Sequence, residues 1–297
     1  MDEDDAGRIR IGELARRTGV AAPLLRAWER RYGLLRPERT AGGARAYGPD
    51  DERRVAEMTR RRAEGMSASL AAAAVLAAED AVATAGGPAV AGIVSELDAA
   101  LRGFDEAAAH EALDRLLGGF SLGTALAEGV LPYLSGLGAR WEAGEVSIAE
   151  EHFATTIVRG RLLALARNWG TGRGPRALLA CPPGEMHDLG LVCFGLALRE
   201  RGWRITMLGP NTPVATVAEA ADRLHPTLVV IAAMQDGALH DARAELGALA
   251  RAHRVGLAGA GAPADLVRAV GAWSLEGDPV RAARWADAAV EAGGPPG

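Results

Sequence analysis

The sequence predicts three successive domains: an all-α head with a short two-stranded wing, a helical bundle, and an α/β domain on a parallel sheet. Three observations carry this. Residues 8–62 hold 15 arginines against 7 acids, whereas the chain from Ala63 onward holds 18 arginines against 27 acids, although the net charge of the whole is −5. Helical periodicity fills residues 90–169, with leucines at 113, 116, 117, 122 and 126 on one set of buried stripes. From Arg176 onward, short apolar runs alternate with helical patterns at the pitch of a parallel sheet. A chain of 297 residues is long enough for each domain to bury its own core. The expected boundaries are 1–80 for the head, 81–89 for an Ala/Gly/Pro linker, 90–170 for the bundle and 175–290 for the sheet domain.

In the head, Ile11, Leu14 and Ala15 give one apolar face of a helix over 9–20, which Gly19 ends where a left-handed backbone is cheap. Pro23 opens a second helix that carries Leu24, Leu25 and Trp28 at helical spacing up to Tyr32, with Gly33 as its stop. Trp28 is expected in the core. Two short strands joined at Gly42-Gly43 make the wing, with Arg36, Arg39, Arg45 and Tyr47 on it. A third helix runs from Asp50 to Arg62, its acids at the positive end. Ser67 caps a fourth.

The bundle has weak breaks at Gly103, Gly118-Gly119, Pro132 and Gly144. In the last domain, strands are expected at 176–181, 203–208, 227–232 and 255–258, with helices at 189–201, 214–224 and 239–252. Ligands of such sheets sit beyond the carboxyl ends of the strands, where Pro182 to His187, Gly209 to Pro213 and Gly259 to Gly261 fall.

Cys181 and Cys193, twelve apart and without a CxxC spacing, argue against a disulfide scaffold or structural zinc. The acidic start and the lack of an 18-residue apolar stretch predict a cytoplasmic protein without a membrane partner. No nucleophile–base pair or paired carboxylates stand out, so no enzyme is expected.

Arginine can fork onto two phosphate oxygens or onto the acceptor edge of guanine, so Arg26, Arg30 and Arg31 on one helix suit both holding and reading a duplex. Arg26 and Arg30 share a face at i, i+4. Arg39 and Arg45 would contact flanking phosphates or the adjacent minor groove. The run Ile11-Gly12-Glu13-Leu14-Ala15, Gly19-Val20, Leu25 through Leu35, Pro37, Arg39, Gly42-Gly43, Arg45 and Tyr47 closely resembles the amino-terminal domain of MerR-family transcription regulators over about seventy residues. The resemblance implies a winged helix-turn-helix that binds a double-stranded DNA operator as a dimer or larger homo-oligomer, through Arg26, Glu29, Arg30, Arg31, Tyr32, Arg39, Arg45 and Tyr47. Ala44 departs from the aromatic residue common in this wing.

The turn Glu185-Met186-His187-Asp188-Leu189-Gly190 follows a strand directly. An imidazole can coordinate a transition metal, a nearby carboxylate can orient it, and the glycine allows close approach of a large flat ligand. Glu185, His187 and Gly190 resemble the ExHxxG form of the cobalamin-binding motif of flavodoxin-like B12 domains, with Gly259 and Gly261 in the place of the family's glycine-rich loop near the nucleotide tail. The resemblance implies His187 as lower axial cobalt ligand, beside Asp188. Val230 to Met234 holds no serine where the family generally has one, a loss of about 1 kcal/mol of hydrogen bonding beside the tail.

Trp141, followed by Glu151-His152, resembles the W-x9-EH signature of the helical cap in adenosylcobalamin-dependent, light-responsive MerR regulators. In these, light breaks the cobalt–carbon bond, the oligomer falls apart and DNA is released. Glu142 stands where several members have a histidine. The resemblance therefore implies a repressor controlled by adenosylcobalamin, or by another cobalamin form, with Trp141, Glu151 and His152 over the ligand. Two alternatives stay open: a regulator of the same architecture controlled by a protein partner instead of B12, and a corrinoid-binding methyl carrier.

Overall fold

A computed structural model of the chain describes residues 9–39, 45–63, 65–72, 74–75, 87–235 and 237–294. It divides into two compact units, Met1–Gly86 and Gly87–Gly297.

In the first unit, α1 (Ile11–Thr18) and α2 (Ala22–Tyr32) end on Gly19 and Gly33 at φ 70° and 62°, as their turn chemistry predicts. Strands β1 (Glu38–Arg39) and β2 (Arg45–Ala46) pair antiparallel as the wing, and α3 (Pro49–Ala63) follows. The wing turn, with Gly42, Gly43 and Ala44, lies outside the described residues. Leu14, Leu25, Trp28, Leu34, Tyr47, Val55 and Met58 form the core. Ser67 caps a short helical stretch by accepting from the Leu70 amide at 3.3 Å. Asp51, expected merely to favour the positive end of α3, is buried. It accepts from the amides of Arg36 (2.7 Å) and Gly48 (3.2 Å) and pairs with Arg54 at 3.0 Å, tying the wing's base to α3.

The second unit begins with α4 (Gly87–Arg102) and α5 (Glu106–Gly119). The start of α4 takes in the end of the expected 81–89 linker, the rest of which lies outside the described residues. Leu122–Thr124, a π-helical turn Ala125–Val130 and Leu131–Glu142 then run on as one helix, α6. The break expected at Pro132 is therefore absent. Proline lacks the amide and crowds the carbonyl four residues back, and the wider π turn before it absorbs both demands. Gly144, at φ 73°, turns the chain into α7 (Ile148–Leu165), whose Ser147 and Glu150 form a capping box.

Five strands, β3 (Arg176–Ala180), β4 (Arg204–Gly209), β5 (Leu228–Ala232), β6 (Val255–Ala258) and β7 (Trp273–Leu275), make a wholly parallel sheet of order β4-β3-β5-β6-β7. Between them lie α8 (Leu189–Arg199), α9 (Val214–Leu224), a short turn Ala238–Asp241 leading into α10 (Arg243–Ala252), and α11 (Ala264–Val270), while α12 (Pro279–Glu291) closes the chain. The sequence shows four of the strands. The fifth spans three residues, too few for any alternation to register.

Side chains alternate across β3. Ala177 and Leu179 join a cluster with the bundle, α8 and α12, whereas Leu178 and Ala180 join α9, α10 and α11 on the other face. The bundle thus shares its core with one face of the sheet, while the other face has a core of its own. Residues 191–198 of α8 are all buried because that helix is covered from several sides, which its nearly unbroken apolar run requires. The strand order reverses between β3 and β5, the crevice where a flavodoxin-like sheet receives ligands.

Candidate functional site

On α2, Arg26, Arg30 and Arg31 are exposed, and the Arg31 guanidinium lies 5.8 Å from the centre of the Tyr32 ring. Arg45 is also exposed, with its Nε 2.9 Å from Glu29 Oε1. Tyr47 differs from expectation. It is fully buried and donates its hydroxyl to Glu29 Oε2 at 2.7 Å, so it cannot touch a duplex without leaving the core. Burial and the adjacent carboxylate push its phenol far above the ordinary tyrosine range. Glu29 is thus shared between wing and helix, which makes Glu29 and Tyr47 the fastening of the wing to α2. Arg39 sits in β1, but its side chain lies outside the described residues.

In the second unit, the loop after β3 crosses the crevice. Glu185 is fully buried yet satisfied at both oxygens. Oε1 accepts from the backbone amide (2.8 Å) and Nδ1–H (2.6 Å) of His187, and Oε2 accepts from the amides of Met234 (2.6 Å) and Gln235 (3.0 Å) beyond β5. Burial alone would raise its pKa, but the hydrogen bonds from Gln235, His187 and Met234 outweigh it and hold the carboxyl below the ordinary value. Because a carboxylate only accepts, Nδ1 carries the proton, and in the neutral imidazole this leaves the Nε2 lone pair of the exposed ring free. Asn211, at φ 52°, braces the same turn, accepting from the Gly184 amide and donating to the Glu185 carbonyl, each at 3.0 Å.

The glycine loop after β6 packs on the loop after β5. A Cβ on Gly259, at φ 88°, would lie 2.9 Å from the Ala233 carbonyl carbon and closer still to its oxygen, and one on Gly261 would meet the Gln235 and Ala233 carbonyls. Their glycine identity thus serves the approach of two backbones, and that approach places the amides that Glu185 uses. Gly190 is in the first turn of α8, where a Cβ would make ordinary contact with Pro279 at 3.7 Å. Where the serine is missing, the buried Ala233 uses its amide for Ala258 O (3.0 Å) and its carbonyl for the Gly261 amide (2.9 Å).

From the bundle, α7 brings a second histidine–carboxylate pair. Glu151 accepts from His152 Nδ1 at 2.6 Å and Thr155 Oγ1 at 2.7 Å. Partial burial would raise the Glu151 pKa, but these hydrogen bonds bring it below the ordinary value. Trp141 leaves 48 % of its surface exposed, and Met186 and Met234, on the two loops that Glu185 joins, are exposed as well. Asp188, buried, is ion-paired with Arg159 of α7. Sequence reasoning missed Arg159, which belongs to no motif, and reached Asn211 only as part of the loop from Gly209 to Pro213. The residues fit a corrinoid: an imidazole oriented by Glu185, a switch-point crevice, glycine loops beside it, and a bundle helix tied to the same loop through Arg159 and Asp188.

Residues 9–77 match the family described as MerR HTH family regulatory protein, and residues 93–166 and 175–277 each match a B12 binding domain family. The HTH-type transcriptional repressor CarH of Myxococcus xanthus is 35% identical over 243 residues, which cover 78% of this chain and 81% of CarH. CarA, the HTH-type transcriptional repressor of the same organism, is 35% identical over 233 residues, covering 75% of each. Among solved structures, the monomethylamine corrinoid protein of Methanosarcina barkeri shares the fold, with a TM-score of 0.55 at 19% identity over 66% of this chain and 97% of that one. No helix among the described residues is long and apolar enough to cross a membrane.

Proposed function

Because this chain belongs to the family of MerR-type transcriptional regulators that carry a B12-binding domain, we propose that it is a cytoplasmic repressor whose hold on its operator is set by bound adenosylcobalamin and by light. The observation that carries this is the Glu185–His187 pair at the switch point, with its imidazole oriented and Nε2 free. His187 would hold cobalt from the lower face, with Glu185 fixing the tautomer and raising the basicity of the ring. Gly259 and Gly261 would border the nucleotide tail, while Trp141, Glu151 and His152 would close over the upper face. Bound adenosylcobalamin supplies a cobalt–carbon bond that light can cleave. The chain's part is to favour one oligomeric arrangement when the ligand is held and another when it is not, since a differential affinity is all that coupling requires.

At the output end, Arg26, Arg30 and Arg31 would read and hold one half-site, Arg39 and Arg45 would flank it, and a homo-oligomer would span a symmetric operator. Arg26→Ala is expected to weaken operator binding about tenfold at matched salt, in line with about 1–3 kcal/mol for a base contact. An unchanged affinity removes Arg26 from the reading face. For the input end, His187→Ala should raise the dark dissociation constant for adenosylcobalamin by at least about tenfold and change the visible spectrum of what remains bound. If spectrum and affinity match wild type, His187 is not a ligand.

One run of experiments decides between this function and the B12-independent regulator that Ala232-Ala233 and Glu142 favour. Full-length protein is passed through gel filtration with adenosylcobalamin in the dark and after green light, and its spectrum, size and operator binding are measured. Retention in the dark with a light-dependent fall in size and DNA affinity is expected. A corrinoid-free protein with unaltered operator binding sinks the B12 assignment and leaves the partner-controlled regulator.

A further inference from the structure

None of the roles above uses the ion pair between Arg159 and Asp188. Asp188 is the N-cap of α8, a position from which an aspartate ordinarily turns back to accept from the first free amides of its own helix. It makes no such bond. Oδ1 is paired with Arg159 on α7, and Oδ2, though buried, has no partner among the described residues. Two neighbours in sequence thus do opposite things: His187 leaves a nitrogen free in the crevice, and Asp188 reaches into the bundle. On α7, Glu151, Thr155 and Arg159 recur at intervals of four and form one stripe. At one end of it Glu151 accepts from His152 and Thr155, and at the other Arg159 holds Asp188, the residue next to His187. A carboxylate this deep without its cation is unfavourable, so the start of α8 is committed to α7 while the pair lasts.

We propose that Arg159 is a positioning residue: through Asp188 it locks the Glu151–Thr155–Arg159 stripe of the bundle against the 185–188 loop and so fixes how His187 presents Nε2. This rests on the corrinoid function proposed above, but the lock exists in the ligand-free protein and is measurable there.

The test uses full-length Arg159→Met, Asp188→Asn and the double variant. Three quantities are read: hydrogen exchange over 148–162 and 185–199 without ligand, the dark dissociation constant for adenosylcobalamin, and the visible spectrum of bound cobalamin, which reports whether an imidazole is coordinated. Each single variant should speed exchange in both segments at least about tenfold, weaken binding about 10–100-fold and shift the spectrum away from imidazole ligation. The double variant leaves no uncompensated charge, so it restores folding stability but not these three quantities. Recovery of wild-type exchange, affinity and spectrum in the double variant would mean that the pair only compensates charge, and the proposal is then wrong. Unchanged exchange in the single variants also overturns it. If wild-type protein retains no adenosylcobalamin, the corrinoid function fails separately, and the exchange results alone decide the lock.

Discussion

Glu185→Ala is expected to lower the melting temperature of the second unit by about 10 °C, and to take with it the capacity to bind a corrinoid. The carboxylate is the shared acceptor for three backbone amides and one imidazole N–H, drawn from two loops on either side of the switch point. Removing it strands these donors in a buried place, at about 1–3 kcal/mol each before relaxation. The loops can part and admit water, so a net loss of about 3–5 kcal/mol is the sensible expectation, and in a unit of this size each kcal/mol moves the transition by about 2–4 °C. Glu185→Gln refines the prediction. A glutamine keeps the shape but sets an NH2 group against one pair of donors, so it should lie between wild type and alanine in stability while still disturbing the orientation of His187. Thermal unfolding followed by circular dichroism, with cobalamin retention on the same samples, measures both. A melting temperature within a degree or two of wild type for the alanine variant would show that the four bonds do not hold the loops together.

Gly259→Ala should be nearly as damaging, for a different reason. The residue combines a backbone at φ 88° with a Cβ direction that runs into the Ala233 carbonyl. Left-handed strain costs an alanine about 1–3 kcal/mol, and forcing two backbones apart adds a similar amount. Neither backbone is free to yield, because Ala233 is bonded through its amide to Ala258 and through its carbonyl to Gly261. Displacing it would also drag the Met234 and Gln235 amides off Glu185, so the loss reaches His187 without any direct contact. Gly271→Ala isolates the two parts. Gly271 has φ 74° but open space around its Cβ, so alanine there should cost about 1 kcal/mol and leave cobalamin binding alone. Equal melting temperatures for the two variants would remove the steric part of the explanation.

Much of this protein was legible before any coordinates. The helix stops at Gly19 and Gly33, the wing strands, the Ser67 cap and the strand pitch from Arg176 all follow from interactions among residues a few positions apart, and their signals are local in the sequence for that reason. Two local signals misled. Pro132 reads as a break because nothing in composition marks a π turn before it, and Tyr47 reads as a wing contact because its burial depends on Glu29, eighteen residues earlier.

What the sequence determined by itself was the order of domains, the arginine-bearing helix, and the Glu185-Met186-His187 turn after a strand as a candidate site. Only the tertiary structure decided what that motif is attached to. Glu185 takes amides 49 and 50 residues away, and a backbone amide has the same chemistry under every side chain, so no pattern in the sequence can announce it. Asp188 finds its cation 29 residues back on another helix, where one arginine among 33 is distinguished solely by the fold that brings it there. Local chemistry chooses the elements, and the pairing of buried polar groups across them is settled when the chain packs and water is excluded.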